Sequence, residues 1–275
     1  MAAVDLLDPM MDLTRRLPPS KIESTLDVLC ALAPEYADDL LGSVDQPLKI
    51  LRDETQGRDF LACDYNRDGE SFRSPWSNEY QPPIEDPQKP AESLRLLEVS
   101  MNEAFDTYRE MYFEGGVSSV FLWNVDEDKD KFAGVVLLKK VLPSSPTTPS
   151  GSWDSIHVFE AHERGRTVSY KLTSTVMLEL VAGTEVDPKG GSVELAGSLT
   201  RQTEQDNCPL SSPTSHIPNV GRMIEDMEIK LRNLLGEVYF GKTKDVVNDV
   251  RSFAGLEMKR NEDALRRELM ASMRR

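Results

Sequence analysis

The 275-residue sequence predicts an α+β fold, with helices at both ends of one five-stranded antiparallel meander sheet. Three observations carry this reading. Apolar residues recur at three- and four-residue spacing near the N-terminus, over 91–113 and again from Val220 onward. Five β-branched and aromatic runs lie between Val117 and Glu204, separated by turn residues. The connections at 126–130 (DEDKD) and 163–166 (ERGR) are too short for helical crossovers, so neighbouring strands run antiparallel.

Residues 1–45 read as short helices punctuated by proline. Leu6, Met10, Leu13 and Leu17 stand near helical spacing. After Pro18 and Pro19, Ile22, Leu26, Leu29 and Leu32 share a face, with Ser20 and Glu23 as a capping box. A third helix ends at Gly42. Residues 46–90 are rich in Pro, Asp, Asn and Arg and read as an irregular segment. Helical spacing returns over 91–116 through Leu94, Leu97, Met101, Phe105, Tyr108 and Tyr112, and Gly115–Gly116 ends it. The sheet is expected over 117–206, with residues 143–151 as a low-complexity hairpin loop. A long helix is expected over 216–254. Its seam is Val220, Met223, Met227, Leu231, Leu234 and Val238, continued by Val246, Val247, Val250 and Phe253. Residues 255–275 form a separate tail.

The net charge is −15, so no basic footprint for nucleic acid is present overall. Cys30, Cys63 and Cys208 are odd in number and widely spaced, with no C-x-x-C, and read as idle thiols of a reducing cytosol. The first twenty residues lack the apolar run of a signal peptide, and no stretch is long and apolar enough to span a membrane.

Two motifs imitate ligand sites. GEVYFGKT at 236–243 fits the phosphate-loop pattern G-x-x-x-x-G-K-[ST]. A phosphate loop follows a strand and opens a helix, whereas this match lies deep inside a helical pattern. Glu237 would repel phosphate, Val238, Tyr239 and Phe240 would fill the loop, and no buried strand ending in Asp offers the second half of such a site. DYNRDG at 64–69 opens like a calcium loop, but the twelfth position, which must supply a bidentate Glu, is Pro75. The match reads instead as a turn capped by its own side chains. His157 and His162 have opposite parity on one strand and do not converge, and no nucleophile elbow is present. The sequence therefore predicts no enzyme, no cofactor and no metal.

The tail differs in chemistry from the rest. Met258, Leu265, Leu269 and Met273 fall in one helical stripe, and residues 256–275 carry net +2. Such a helix folds back on its own core, docks in an apolar groove of a partner, or lies on a membrane; the pattern alone leaves all three open.

Several stretches together resemble one family. They include MDLTRRLPPSKIE, LLGSVDQPLKI, FLACDYNRDGESFRSPWSNEYQPP, YREMYFEGGVSSVFLW, GSWDSIHV, YKLTSTVMLEL, GSLTRQ and EVYFGKTKDVVNDVRS. They are similar to the β subunit of the heterodimeric F-actin-capping protein, from about Leu6 to the end. The segments 143–151 and 183–191 and the tail fit more loosely. The resemblance implies a mushroom-shaped obligate heterodimer with an α subunit. Each subunit would have an N-terminal helical stalk, a five-stranded sheet, a long helix over it and a C-terminal amphipathic tentacle. It further implies a cytoplasmic, cytoskeletal protein that caps the barbed end of actin filaments without nucleotide or calcium. Leu265, Leu269 and Met273 would enter an apolar cleft on actin, and Lys259, Arg260, Arg266, Arg267, Arg274 and Arg275 would meet its acidic surface. Asp45 and the acidic loop containing Asp64 match a surface for basic regulatory peptides, and anionic phosphoinositides are a further expected partner. The partner subunit would cover an outer strand and the seam at 220–238. A membrane- or complex-associated adaptor using the basic tail is the alternative.

Overall fold

The computed structural model describes residues 6–125, 130–143, 150–182, 193–241 and 244. The chain forms two compact units, Met1–Ile229 and Lys230–Arg275. The tail residues 255–275 lie outside the described residues, as do Lys242 and Thr243.

The first unit opens with helices α1 (Leu7–Arg16), α2 (Ile22–Leu32) and α3 (Ala37–Ser43). Proline sets the breaks, since Pro19 and Pro34 each start a 3₁₀ turn that leads into the next helix. The capping box does not form. Ser20 instead donates from its backbone N–H and its hydroxyl to Glu179, a residue 159 positions away, while Glu23 pairs with Lys49. The buried faces are also narrower than spacing suggests. Ile22 and Leu26 are buried, but Leu13 and Leu32 are exposed, Leu32 by 74%. Thr14 occupies the buried position of α1.

Residues 46–90 contain more structure than their composition indicates. β1 (Lys49–Asp53) and β2 (Arg58–Ala62) form a hairpin, and β3 (Arg67–Asp68), β4 (Ser71–Arg73) and β5 (Tyr80–Gln81) form a small sheet. Polar side chains that replace missing backbone partners hold this region together. Asp53, fully buried at the end of β1, accepts from the N–H groups of Thr55, Gln56 and Ser77 and from the Ser74 hydroxyl. β1 ends in a buried Asp, but the strand itself is largely exposed, and the Asp53 carboxylate already accepts from four donors.

After α4 (Glu92–Tyr112) comes the meander: β6 (Val117–Asn124), β7 (Lys131–Leu142), β8 (Ser150–Arg164), β9 (Thr167–Ala182) and β10 (Val193–Pro209). The order is β10-β9-β8-β7-β6, with every pair antiparallel. Both faces are covered, so alternate residues serve two cores. Phe121, Val135, Leu137, Ile156 and Met177 pack with Ile22, Leu26, Leu40, Leu48, Phe60 and Leu61. The opposite face carries the cross-strand row Val136, His157 and Ser174 and meets α5 (His216–Leu235) through Glu228. The observed seam of α5 in this unit is Val220, Met223, Ile224 and Met227, all buried by this chain itself. No partner is needed to cover them.

The two edges of the sheet differ. On β6, Val120 donates to the Asn102 side-chain oxygen and its carbonyl accepts from the Asn102 amide, while Leu122 N–H donates to Glu98. Helix α4 thereby closes that edge with side chains. Among the described residues, β10 has one strand neighbour, β9.

Candidate functional site

An acidic cleft forms where the 44–48 segment, the turn after β2 and strand β8 meet. Its lining includes Glu23, Asp45, Lys49, Asp64, Tyr65 and Arg67, around a cavity of about 50 Å³. Two buried side chains set the walls. Asp154 on β8 accepts from Leu48 N–H at 2.9 Å and from Lys139 Nζ at 2.6 Å, fixing the 44–48 segment to the sheet. Asn66 accepts from Cys63 N–H and donates to the carbonyls of Leu61 and Arg73, which fixes the turn. The calcium-loop letters at 64–69 therefore serve as a brace. Among the described residues, no group of His, Cys, Asp and Glu could hold a metal ion.

The structure brings the two sequence-predicted residues Asp45 and Asp64 into this one cleft. Burial raises the Asp45 carboxyl above its ordinary range, a hydrogen bond from Thr175 offsets part of this, and the charge of Asp64 raises it again. Three carboxylates against Lys49 and Arg67 leave the lining one negative charge in excess, which favours a cationic guest. Arg67 answers Asp64 only loosely, at 3.8 Å, and is shared with Glu70. Tyr65 stacks on Trp123 with ring centroids 5.8 Å apart and forms an aromatic wall. Burial pushes the Cys63 thiol up to about 12, so it is no nucleophile. Sequence reasoning missed Tyr65, Trp123 and Glu23, because strand and helix packing, not spacing, assembles them.

A larger groove of about 300 Å³ lies at the far end of the sheet. There Glu160, Lys171 and Glu204 oppose one another in one cross-strand row, so its charges answer each other.

One arrangement imitates catalysis. Ser174 Oγ lies 2.8 Å from His157 Nδ1, and His157 Nε2 lies 3.0 Å from Glu228. His157 and Ser174 are wholly buried and Glu228 nearly so, which leaves no approach for a substrate. The trio ties α5 to the sheet. GEVYFG at 236–241 is a π-helix continuing from α5, with no strand before it, so the phosphate-loop geometry is absent there.

A family profile described as F-actin capping protein, beta subunit, matches residues 7–247. The chain belongs to the F-actin capping protein beta-subunit family. It is 52% identical over 300 residues to the F-actin-capping protein subunit beta of Neurospora crassa, covering 100% of both chains. It is 55% identical to the Drosophila melanogaster subunit beta over 98% of this chain and 95% of that one. With the Aspergillus oryzae subunit beta it shares 54% identity over 98% of each. The fold is similar to the solved homodimeric actin capping protein alpha subunit from Plasmodium berghei. The TM-score is 0.50 at 14% identity, over 90% of this chain and 97% of that one. Family membership and fold agree with the α+β meander read from the sequence.

Proposed function

We propose that this chain is the β half of a heterodimer that caps the barbed end of actin filaments and blocks subunit addition and loss. The observation that carries the reading is identity above 50% to named β subunits over alignments that cover 98–100% of the chain. The edge asymmetry supports the heterodimer: α4 closes β6, whereas the outer side of β10 is where a strand of the α subunit would extend the sheet. Residues 256–275 dock on actin, with Leu265, Leu269 and Met273 in an apolar cleft and the basic side chains at its rim. The role is architectural and needs neither nucleotide nor calcium. Such a protein resides with the actin cytoskeleton. In addition, the acidic cleft at Asp45 and Asp64 takes a basic regulatory peptide, its arginines against the paired carboxylates and its apolar residues on Tyr65. Anionic phosphoinositides would compete for the basic tail.

The test is co-expression with the matching α subunit, followed by pyrene-actin elongation from seeds in a calcium chelator. Full-length heterodimer should stop barbed-end growth, and heterodimer lacking residues 256–275 should assemble but cap far more weakly. Unchanged capping by the truncated dimer, together with lost binding to anionic liposomes, would favour the adaptor reading instead.

A further inference from the structure

The π-helix Gly236–Gly241 begins where α5 ends. A π-turn closes i→i+5 bonds and holds one residue more than an α-turn. Glycine is its first and its last residue, and those two glycines create the phosphate-loop imitation. Glycine is demanded where φ is positive or where a Cβ would collide. Gly165 meets the first condition, with φ +66°. Gly134 meets the second, because a Cβ there would strike Leu122 and Phe159. Gly236 and Gly241 meet neither: their φ is not positive, and a Cβ on either meets no described atom within 4 Å. Each still lowers helix stability roughly five-fold relative to alanine. Against the described atoms, what the two glycines add is conformational freedom.

We infer that Gly236–Gly241 is a hinge that exchanges between π and α registers and so resets the helical phase at which the chain leaves α5. Passing the surplus residue out of the segment rotates the downstream chain by about 100° and shifts it by about 1.5 Å along the axis. A quarter-turn decides which side of an amphipathic stripe faces a groove. The consequence for capping rests on the proposed docking of residues 256–275. The hinge would let that segment find its phase on actin after the first encounter.

The experiment uses the full heterodimer carrying Gly236→Ala, Gly241→Ala and both, with Gly221→Ala as control. Gly221 lies inside α5 with equally open space, outside the π-helix. Hydrogen exchange of residues 236–241 is read in the free dimer, and capping association and dissociation rates by seeded elongation. The double variant should slow exchange there about ten-fold or more and change a capping rate at least several-fold, while Gly221→Ala leaves both unchanged. Unaltered exchange overturns the hinge. Slowed exchange with unaltered capping rates overturns its role in docking. Failure of Gly236→Ala or Gly241→Ala to assemble overturns it too, because the glycines would then be making room for the partner subunit. If the unmodified dimer does not cap, the functional reading fails, and the exchange result still decides whether the segment moves.

Discussion

Asp53 shows how much one side chain can organise. Burial alone would raise its carboxyl, but hydrogen bonds from Ser74 and Ser77 and from the backbone of Gln56 and Thr55 outweigh burial and hold it at about 2. A folded pKa below the unfolded value of 3.8 stabilises the fold above that value. The contribution, about 2 kcal/mol, should be lost as pH falls from near 4 through 2. Asp53→Asn should therefore cost a similar amount at pH 7 and flatten the acid limb of a denaturation series. Asp45 has the opposite sign. Its raised carboxyl opposes folding at neutral pH and is relieved as pH falls toward its folded pKa. Asp45→Asn should stabilise the heterodimer in urea titration at pH 7 yet weaken binding of an arginine-rich peptide, measured by calorimetry. His216 accepts from Tyr170 and donates to Glu163; burial lowers its pKa against the pull of Glu163. Stability should fall as pH drops below the usual histidine value of about 6.5.

At the scale of elements, edges and seams decide. The α4 seam of Leu94, Leu97, Met101 and Phe105 is buried as its spacing implies, while Tyr112 is half exposed. Glu98 and Asn102, also buried, serve the edge of β6 and bear no apolar signal. Removing Asn102 orphans a buried N–H and a buried carbonyl. At roughly 1–3 kcal/mol per unsatisfied group, Asn102→Ala should destabilise the heterodimer by about 2–6 kcal/mol in chemical denaturation. On α5, wholly buried Ile224 and half-exposed Ile229 make a matched pair. Ile224→Ala should cost about 2–5 kcal/mol and Ile229→Ala within about 0.5 kcal/mol.

Across the whole molecule, the two sheet edges are finished differently. A strand as long as β10 at the margin of a sheet templates aggregation unless a second sheet joins it. The chain expressed alone should therefore be insoluble and become soluble with the α subunit, as sedimentation of lysates would show. A well-behaved monomer would count against the heterodimer. Within the assembled dimer, replacing Leu265 and Leu269 by serine should weaken capping by a few powers of ten. Each buried side chain contributes roughly 1.5–3 kcal/mol, and about 1.4 kcal/mol is ten-fold in affinity.

The α+β class, the antiparallel meander and the family are all legible in the unfolded chain. Apolar period and connection length are local properties, and the motifs spread along the chain survive without coordinates. The same spacing excludes a phosphate loop, because it reveals the helical context of the match. Local pattern fails where the partner of a residue is distant in the chain. Ser20 and Glu23 make a capping box on paper, but Glu179 captures Ser20. Residues 46–90 look irregular because their order comes from the side chains of Asp53 and Asn66, not from periodicity. The acidic cleft, the closed β6 edge and the buried Ser174–His157–Glu228 tie are properties of the packed fold. They exist because the sheet brings remote residues within hydrogen-bonding distance, and no local spacing encodes that approach.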